Sequence, residues 1–258
     1  MPREVTSNMA RLGFRCDKGR PHVGRSIMLI ELERLLTYKD ADGLVRADYA
    51  TAIVEDNCLG KRSRQARIET FKRLTQFYGL DAGLAVFRAL LYFWHRDKDA
   101  HRLLALICAH ARDGLLVGSA PLVLLRQPGE SLSSADLAEA LAKTEPGHYT
   151  TATLEAAAAR LRSSWTQSGH LVGTRKRVRS LVAATPGAAA FAVFLGYLCG
   201  IRGEVLLDTE FTALLDTSST SLLSLVEQAA ERGWLVLNQV GSVFEVLFPK
   251  LVCAEELV

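Results

Sequence analysis

A chain of 258 residues that is 49% apolar and 23% charged carries enough apolar material for a folded core, which excludes an intrinsically disordered protein. A formal charge of only +3 does not mark a general polyanion binder, so a nucleic-acid role has to come from how the charge is distributed. Aromatic residues make up 7% while Leu and Ala are abundant, so helix is expected to dominate.

Residues 1–25 are basic and lack the apolar stretch of a secretory signal, and they read as a mobile basic arm, with a DNA- or partner-contacting role as the alternative. The five cysteines (Cys16, Cys58, Cys108, Cys199 and Cys253) stand singly with no CxxC, as expected of free thiols in a cytoplasmic protein. Residues 26–127 read as a helical domain. A first helix over Ile27–Leu36 places Leu29, Leu32 and Leu36 on one face and leaves Ile30 and Arg34 off it. A turn at Asp40–Gly43 leads to a second helix over Ala47–Asn57, which Gly60 ends.

The next stretch, Lys61–Arg73, has six basic residues against one acid. Ser63 is placed as its N-cap, with Ile68, Phe71 and Leu74 inward and Arg64, Arg67 and Lys72 outward. Two readings stay open: a helix lying along a phosphate backbone through Lys61, Arg62, Arg64, Arg67 and Lys72, or a merely solvated basic face. Further helices are expected over Asp81–His95, Lys98–Arg112 and Gly114–Leu125. His95, His101 and His110 match no metal-ligand spacing, and Asp97 and Asp99 read as solvent-facing turn residues.

Gln127–Glu130 reads as a linker, and 131–185 as a basic winged helix-like unit. Ser133 and Ser134 start a short helix over Ala135–Lys143, and a turn at Thr144–His148 precedes a long one. In that long helix Leu154, Ala158, Leu161 and Trp165 recur on one face, a Thr at 150, 151 or 153 caps the start, and Ser168-Gly169 ends it. His170–Val172, a Gly173-Thr174 turn and Arg177–Val182 then read as a hairpin. Thr150–Ser180 carries Arg160, Arg162, Arg175, Lys176, Arg177 and Arg179 against Glu155 alone.

Residues 186–258 combine a buried core helix over Gly187–Ile201 with a second winged helix-like unit. The apolar run is 15 residues, short of the roughly 20 that cross a bilayer, so no membrane partner is expected. From Ser218 the plan of the first unit recurs: a capped helix with Leu222, Leu225, Val226 and Ala229 on one face, a stop at Arg232-Gly233, a strand over Trp234–Leu237, a turn over Asn238–Ser242 and a return over Val243–Phe248. Gly203–Val258 is acidic, with nine acids against Arg232 and Lys250, and its Glu227, Glu231 and Glu245 suit a protein contact better than phosphates. The expected fold is thus mainly α with small β-hairpins: a helical N-terminal domain followed by two winged helix-turn-helix-like units.

No phosphate-cradling loop, zinc-hydrolase motif or nucleophile elbow is present, so neither an enzyme nor a cofactor is expected. Several short motifs occur in an order that resembles the BrxA family of BREX phage-resistance systems. They are Asn57-Cys58-Leu59-Gly60-Lys61-Arg62-Ser63 with Lys72-Arg73-Leu74, Arg112-Asp113, the run from Ser163 to Gly173, and Ala229-Ala230-Glu231-Arg232-Gly233. The resemblance spans residues 26–252 and implies a non-enzymatic component of a bacterial defence system. It supplies no site residues. From charge and spacing, double-stranded DNA held mainly through phosphates is the expected partner. Other BREX proteins docking on 204–258 form an alternative, and RNA ranks third because Trp165 and Trp234 read as buried.

Overall fold

The computed structural model describes residues 5–15, 25–39, 43–144, 150–240 and 243–252. Among these, eleven α-helices and two two-stranded antiparallel sheets make up the regular structure, so the chain is mainly helical as expected. The turns expected at 40–43 and 144–148 lie outside the described residues apart from Gly43 and Thr144.

The N-terminal stretch is not an arm over residues 5–15. Helix α1 (Ser7–Leu12) is capped by the Thr6 hydroxyl, which accepts from the Met9 amide, and it stops at Gly13 with φ 106°. Leu12 and Phe14 are buried, and the buried Arg112 guanidinium donates to the Gly13 carbonyl and, from its other nitrogens, to the carbonyls of Thr75 and Gln76. A short basic segment with two large apolar anchors is drawn inside by its hydrophobic residues rather than released by its charge.

Helix α2 (Leu29–Tyr38) buries Leu29, Leu32, Leu35 and Leu36 and leaves Ile30 outside, as its spacing predicts. Helix α3 (Arg46–Ala50) widens into a π-helical turn at Thr51–Glu55, where the Asp56 amide reaches back to the Thr51 carbonyl. Asn57 then takes a left-handed conformation and its Oδ1 accepts from the Lys61 amide at 2.8 Å, which closes the loop into α4 (Arg64–Tyr78). Helix α5 (Ala85–Trp94) starts later than Asp81, because Asp81 instead forms a local turn to the Gly83 amide. Helix α6 (His101–His110) follows a short 3₁₀ turn, and α7 (Gly114–Leu124) is capped by Asp113, whose Oδ1 accepts from the amides of Leu115 and Leu116.

After α7 come α8 (Ser134–Thr144), α9 (Thr151–Gln167) and a hairpin of β1 (Leu171–Val172) with β2 (Val178–Arg179). The expected linker does more than connect. Gly129 and Leu132 donate their amides to the carbonyls of Arg179 and Arg177, and the Arg179 amide donates back to Glu130, so residues 129–132 lie alongside β2 as a third short antiparallel segment. Leu132 is buried beneath it.

Helix α10 (Pro186–Leu198) is buried along residues 187–198 and packs on α5 and α6. The fifteen-residue apolar run is therefore a core helix, and no helix among the described residues is long and apolar enough to cross a membrane. Asp97, expected to face solvent, is instead fixed at the start of α10: its Oδ2 accepts from the Gly187 amide at 2.8 Å. Its Cβ lies 2.6 Å from where a Gly187 side chain would begin. Helix α11 (Ser219–Glu231) packs on α10 and leads to β3 (Val236–Val240) and β4 (Val243–Leu247). The second turn is tighter than expected: Asn238 is paired within the ladder opposite Glu245, and its amide donates to that carboxylate at 2.9 Å. One contiguous apolar cluster runs from Leu12 to Leu251 and crosses each boundary expected from the sequence.

Candidate nucleic-acid interface

The 61–73 stretch is basic in sequence but largely neutralised in space. Lys61 is half-buried and pairs with Glu31 at 3.0 Å; Arg64 pairs with Glu55 at 3.0 Å; Lys72 pairs with Glu69 at 3.2 Å. Arg67 does not face outward as expected, because its guanidinium turns in to cap the Val54 carbonyl at 2.8 Å at the end of the π-helical turn. Arg73 donates to Gln76. Only Arg62 is exposed without an ion-pair partner among the described residues. The helix buries Thr70, Leu74, Phe77 and Tyr78 rather than the expected Ile68 and Phe71, and this rotation carries Arg67 toward α3.

The second basic stretch is different. The Thr150 hydroxyl caps α9 by accepting from the Thr153 amide, and Ala157, Ala158, Leu161, Ser164 and Trp165 form its buried face. Trp165 is fully buried, donates its indole N–H to Ser119 Oγ at 3.0 Å and meets the His170 ring edge-on. The free face carries Thr151, Ala152, Glu155 and Ala159, and Arg160 and Arg162 emerge half-exposed at its sides. Arg175 and Lys176 stand exposed at the hairpin tip. Arg177 is bent back so that its guanidinium donates to the Thr166 hydroxyl and to the Thr174 carbonyl, which ties the hairpin to the last turn of α9. None of these five cations has a carboxylate at ion-pair distance among the described residues.

Arg179 is not a contact residue. It is 2% exposed, its guanidinium pairs with Asp216, and it also donates to the carbonyl of Ser180. Asp216 adopts a left-handed conformation at φ 49° and accepts in addition from the Val182 amide at 3.2 Å. Its Oδ2 lies 3.8 Å from His170 Nε2. The His170 ring is buried, with Nε2 3.0 Å from the Leu214 carbonyl and Nδ1 2.9 Å from Ser168 Oγ. Burial is the main reason its pKa falls to about 4; Arg179 pushes in the same direction, against Asp216 and the Leu214 carbonyl, and the ring is neutral near pH 7. A basic residue on an alternating strand points in as often as out, and Arg179 points in because a carboxylate waits there.

Arg25, read from the sequence only as part of the basic arm, is given a fixed place by the fold. The segment 25–29 docks on α9 through side-chain bonds: the Ile27 amide donates to Ser164 Oγ at 3.1 Å, the Leu29 amide to Gln167 Oε1 at 2.9 Å, and Gln167 Nε2 to Ser26 Oγ at 2.7 Å. This places Arg25 beside Arg160 along an open groove on the flank of α9. The local signal is Gln167 at the end of α9, and its partner Ser26 lies 141 positions away.

Among the described residues no cluster of His, Cys, Asp or Glu could hold a metal ion. A scan against protein-family models finds no match, and a search of curated proteins finds none either.

Proposed function

We propose that this protein is a non-enzymatic binder of double-stranded DNA that holds the duplex mainly by its phosphates and with little sequence preference. The observation that carries the reading is the set of five unpaired cations, Arg160, Arg162, Arg175, Lys176 and Arg177, gathered on one helix and the hairpin bonded to its end. The order α7, the 129–132 segment, α8, α9 and the β1–β2 hairpin, with 129–132 beside β2, supports reading this part as a winged helix in which α9 faces the duplex. Apart from Glu155, the free face of α9 is built of small side chains, Ala152 and Ala159 above all, which allow close approach but read few base edges. The motif order resembling the BrxA family supports a place in bacterial phage defence. Exposed Glu227, Glu231 and Glu245 on α11 and β4 favour a protein neighbour on that side, within the same system.

Binding of a random duplex, measured by anisotropy from low to moderate salt, tests this. The full chain is expected to bind with an affinity that falls steeply with salt. Arg175→Ala, Lys176→Ala and Arg177→Ala together should reduce the log–log slope by about 3, since each lost phosphate contact removes about 0.9. Absence of any retardation at low salt, or a strong preference for RNA over duplex DNA, would sink the reading.

A further inference from the structure

The groove that Arg25 and Arg160 share has a chemistry of its own. Its lining includes Ser26 and Ser163, whose hydroxyls both accept from the single Nε2 of Gln167, at 2.7 and 3.3 Å. The orientation of that amide is fixed from the other side, because Gln167 Oε1 accepts the Leu29 amide at 2.9 Å. Each serine has thus received a hydrogen and keeps its own to give. The carboxylate in the lining, Glu31, is engaged by Lys61 at 3.0 Å. Two guanidiniums without acidic partners among the described residues and two hydroxyls with hydrogens to donate therefore line one open groove, a donor set suited to a phosphate oxygen.

The position of the groove matters as much as its chemistry. Residues two apart on a helix lie about 200° around it, so Arg160 and Arg162 emerge on opposite flanks of α9. Arg162 shares its flank with Thr166, four residues on, which is where Arg177 ties down the hairpin. Between the two flanks lie the exposed Ala152, Glu155 and Ala159. A helix about 10–12 Å across fills a major groove about 12 Å wide, and the two edges of that groove are the two sugar-phosphate backbones.

We infer that the Arg25–Arg160 groove is a second phosphate seat, which takes the backbone opposite the one held by the hairpin, so that α9 is straddled by both strands. This rests on the duplex-binding reading above. It assigns a binding role to Arg25, Ser26 and Ser163, and it requires a duplex, because a single strand follows only one flank.

The test uses the full chain with a random duplex and one of its single strands, and compares Arg25→Gln/Arg160→Gln with the triple hairpin variant. The glutamines keep the aliphatic stems, and an unchanged melting temperature confirms that the fold is intact. Arg25→Gln/Arg160→Gln is expected to lower the duplex salt slope by about 2, to add to the loss from the hairpin variant, and to weaken single-strand binding less than duplex binding. A slope unaltered by the pair while the hairpin variant lowers it would overturn the second seat and leave duplex binding standing. Equal losses on duplex and single strand would overturn the straddled geometry. No salt-dependent binding by the unmodified protein would instead remove the parent reading.

Discussion

Residues 61–73 and 150–180 each carry six cations against one acid, yet they end as different surfaces. In the first, Lys61, Arg64 and Lys72 are met by Glu31, Glu55 and Glu69, and Arg67 is spent on a backbone carbonyl. In the second, a single cation, Arg179, is paired and buried, and its burial anchors the hairpin whose tip displays Arg175 and Lys176. Charge per stretch therefore says little about charge available to a partner. What decides it is whether acids from elsewhere in the chain fold onto the stretch, and two of the three acids that neutralise the first lie outside it.

The comparison breaks most sharply at Asp216. Asp216→Asn keeps the side chain's shape and its tolerance of the left-handed conformation but leaves Arg179 buried without a counter-charge. Removing one partner of a buried pair costs about 3–5 kcal/mol, against about 0.5 kcal/mol or less for Glu55→Gln at the exposed pair with Arg64. Urea denaturation of the two variants measures the difference. Equal costs would mean that the two stretches are held no differently.

A smaller effect of the same origin is set by pH. His170 sits behind the hairpin, whereas residues 61–73 contain no histidine. With its folded pKa lowered to about 4 against about 6.5 unfolded, the unfolded chain takes up the extra proton between those values. The stability that the neutral ring contributes is thus complete above pH 6.5 and is lost as pH falls toward 4, by about 3 kcal/mol in total. His170→Gln should flatten the stability–pH curve over that window relative to the unmodified protein. An unchanged slope would show that burial does not hold the ring neutral over that window.

Much of this was legible locally. The Ser63 cap, the Leu161–Trp165 face of α9 and the buried helix after Pro186 each depend on neighbours within a few residues and lie where their spacing puts them, and the Thr150 and Ser218 caps are each one of the candidates that Thr150, Thr151 or Thr153 and Ser218–Ser221 leave open. The failures are long-range. Arg179 looks like its neighbours Arg175 and Arg177 until Asp216, 37 positions on, is folded against it. Pro128-Gly129 carries a turn signal, and only the position of β2 converts the residues after it into a paired segment. Arg25 lay in a stretch read as an arm because its charge was visible and the docking of Ile27 and Leu29 on α9 was not.

The finest test of the comparison adds affinity instead of removing it. Glu155 is the lone acid of the second stretch and stands exposed on the free face of α9, where it would oppose phosphates. One unit charge at about 10 Å in water is worth about 0.4 kcal/mol, so Glu155→Gln should tighten duplex binding about twofold at low salt. Glu55→Gln with Glu69→Gln removes two acids and releases Arg64 and Lys72, yet should change binding less, because α4 lies outside the proposed interface. The opposite order, with the α4 pair giving the larger gain, would return the first stretch to the binding surface. Its neutralisation would then be a brake on binding rather than a sign that it takes no part.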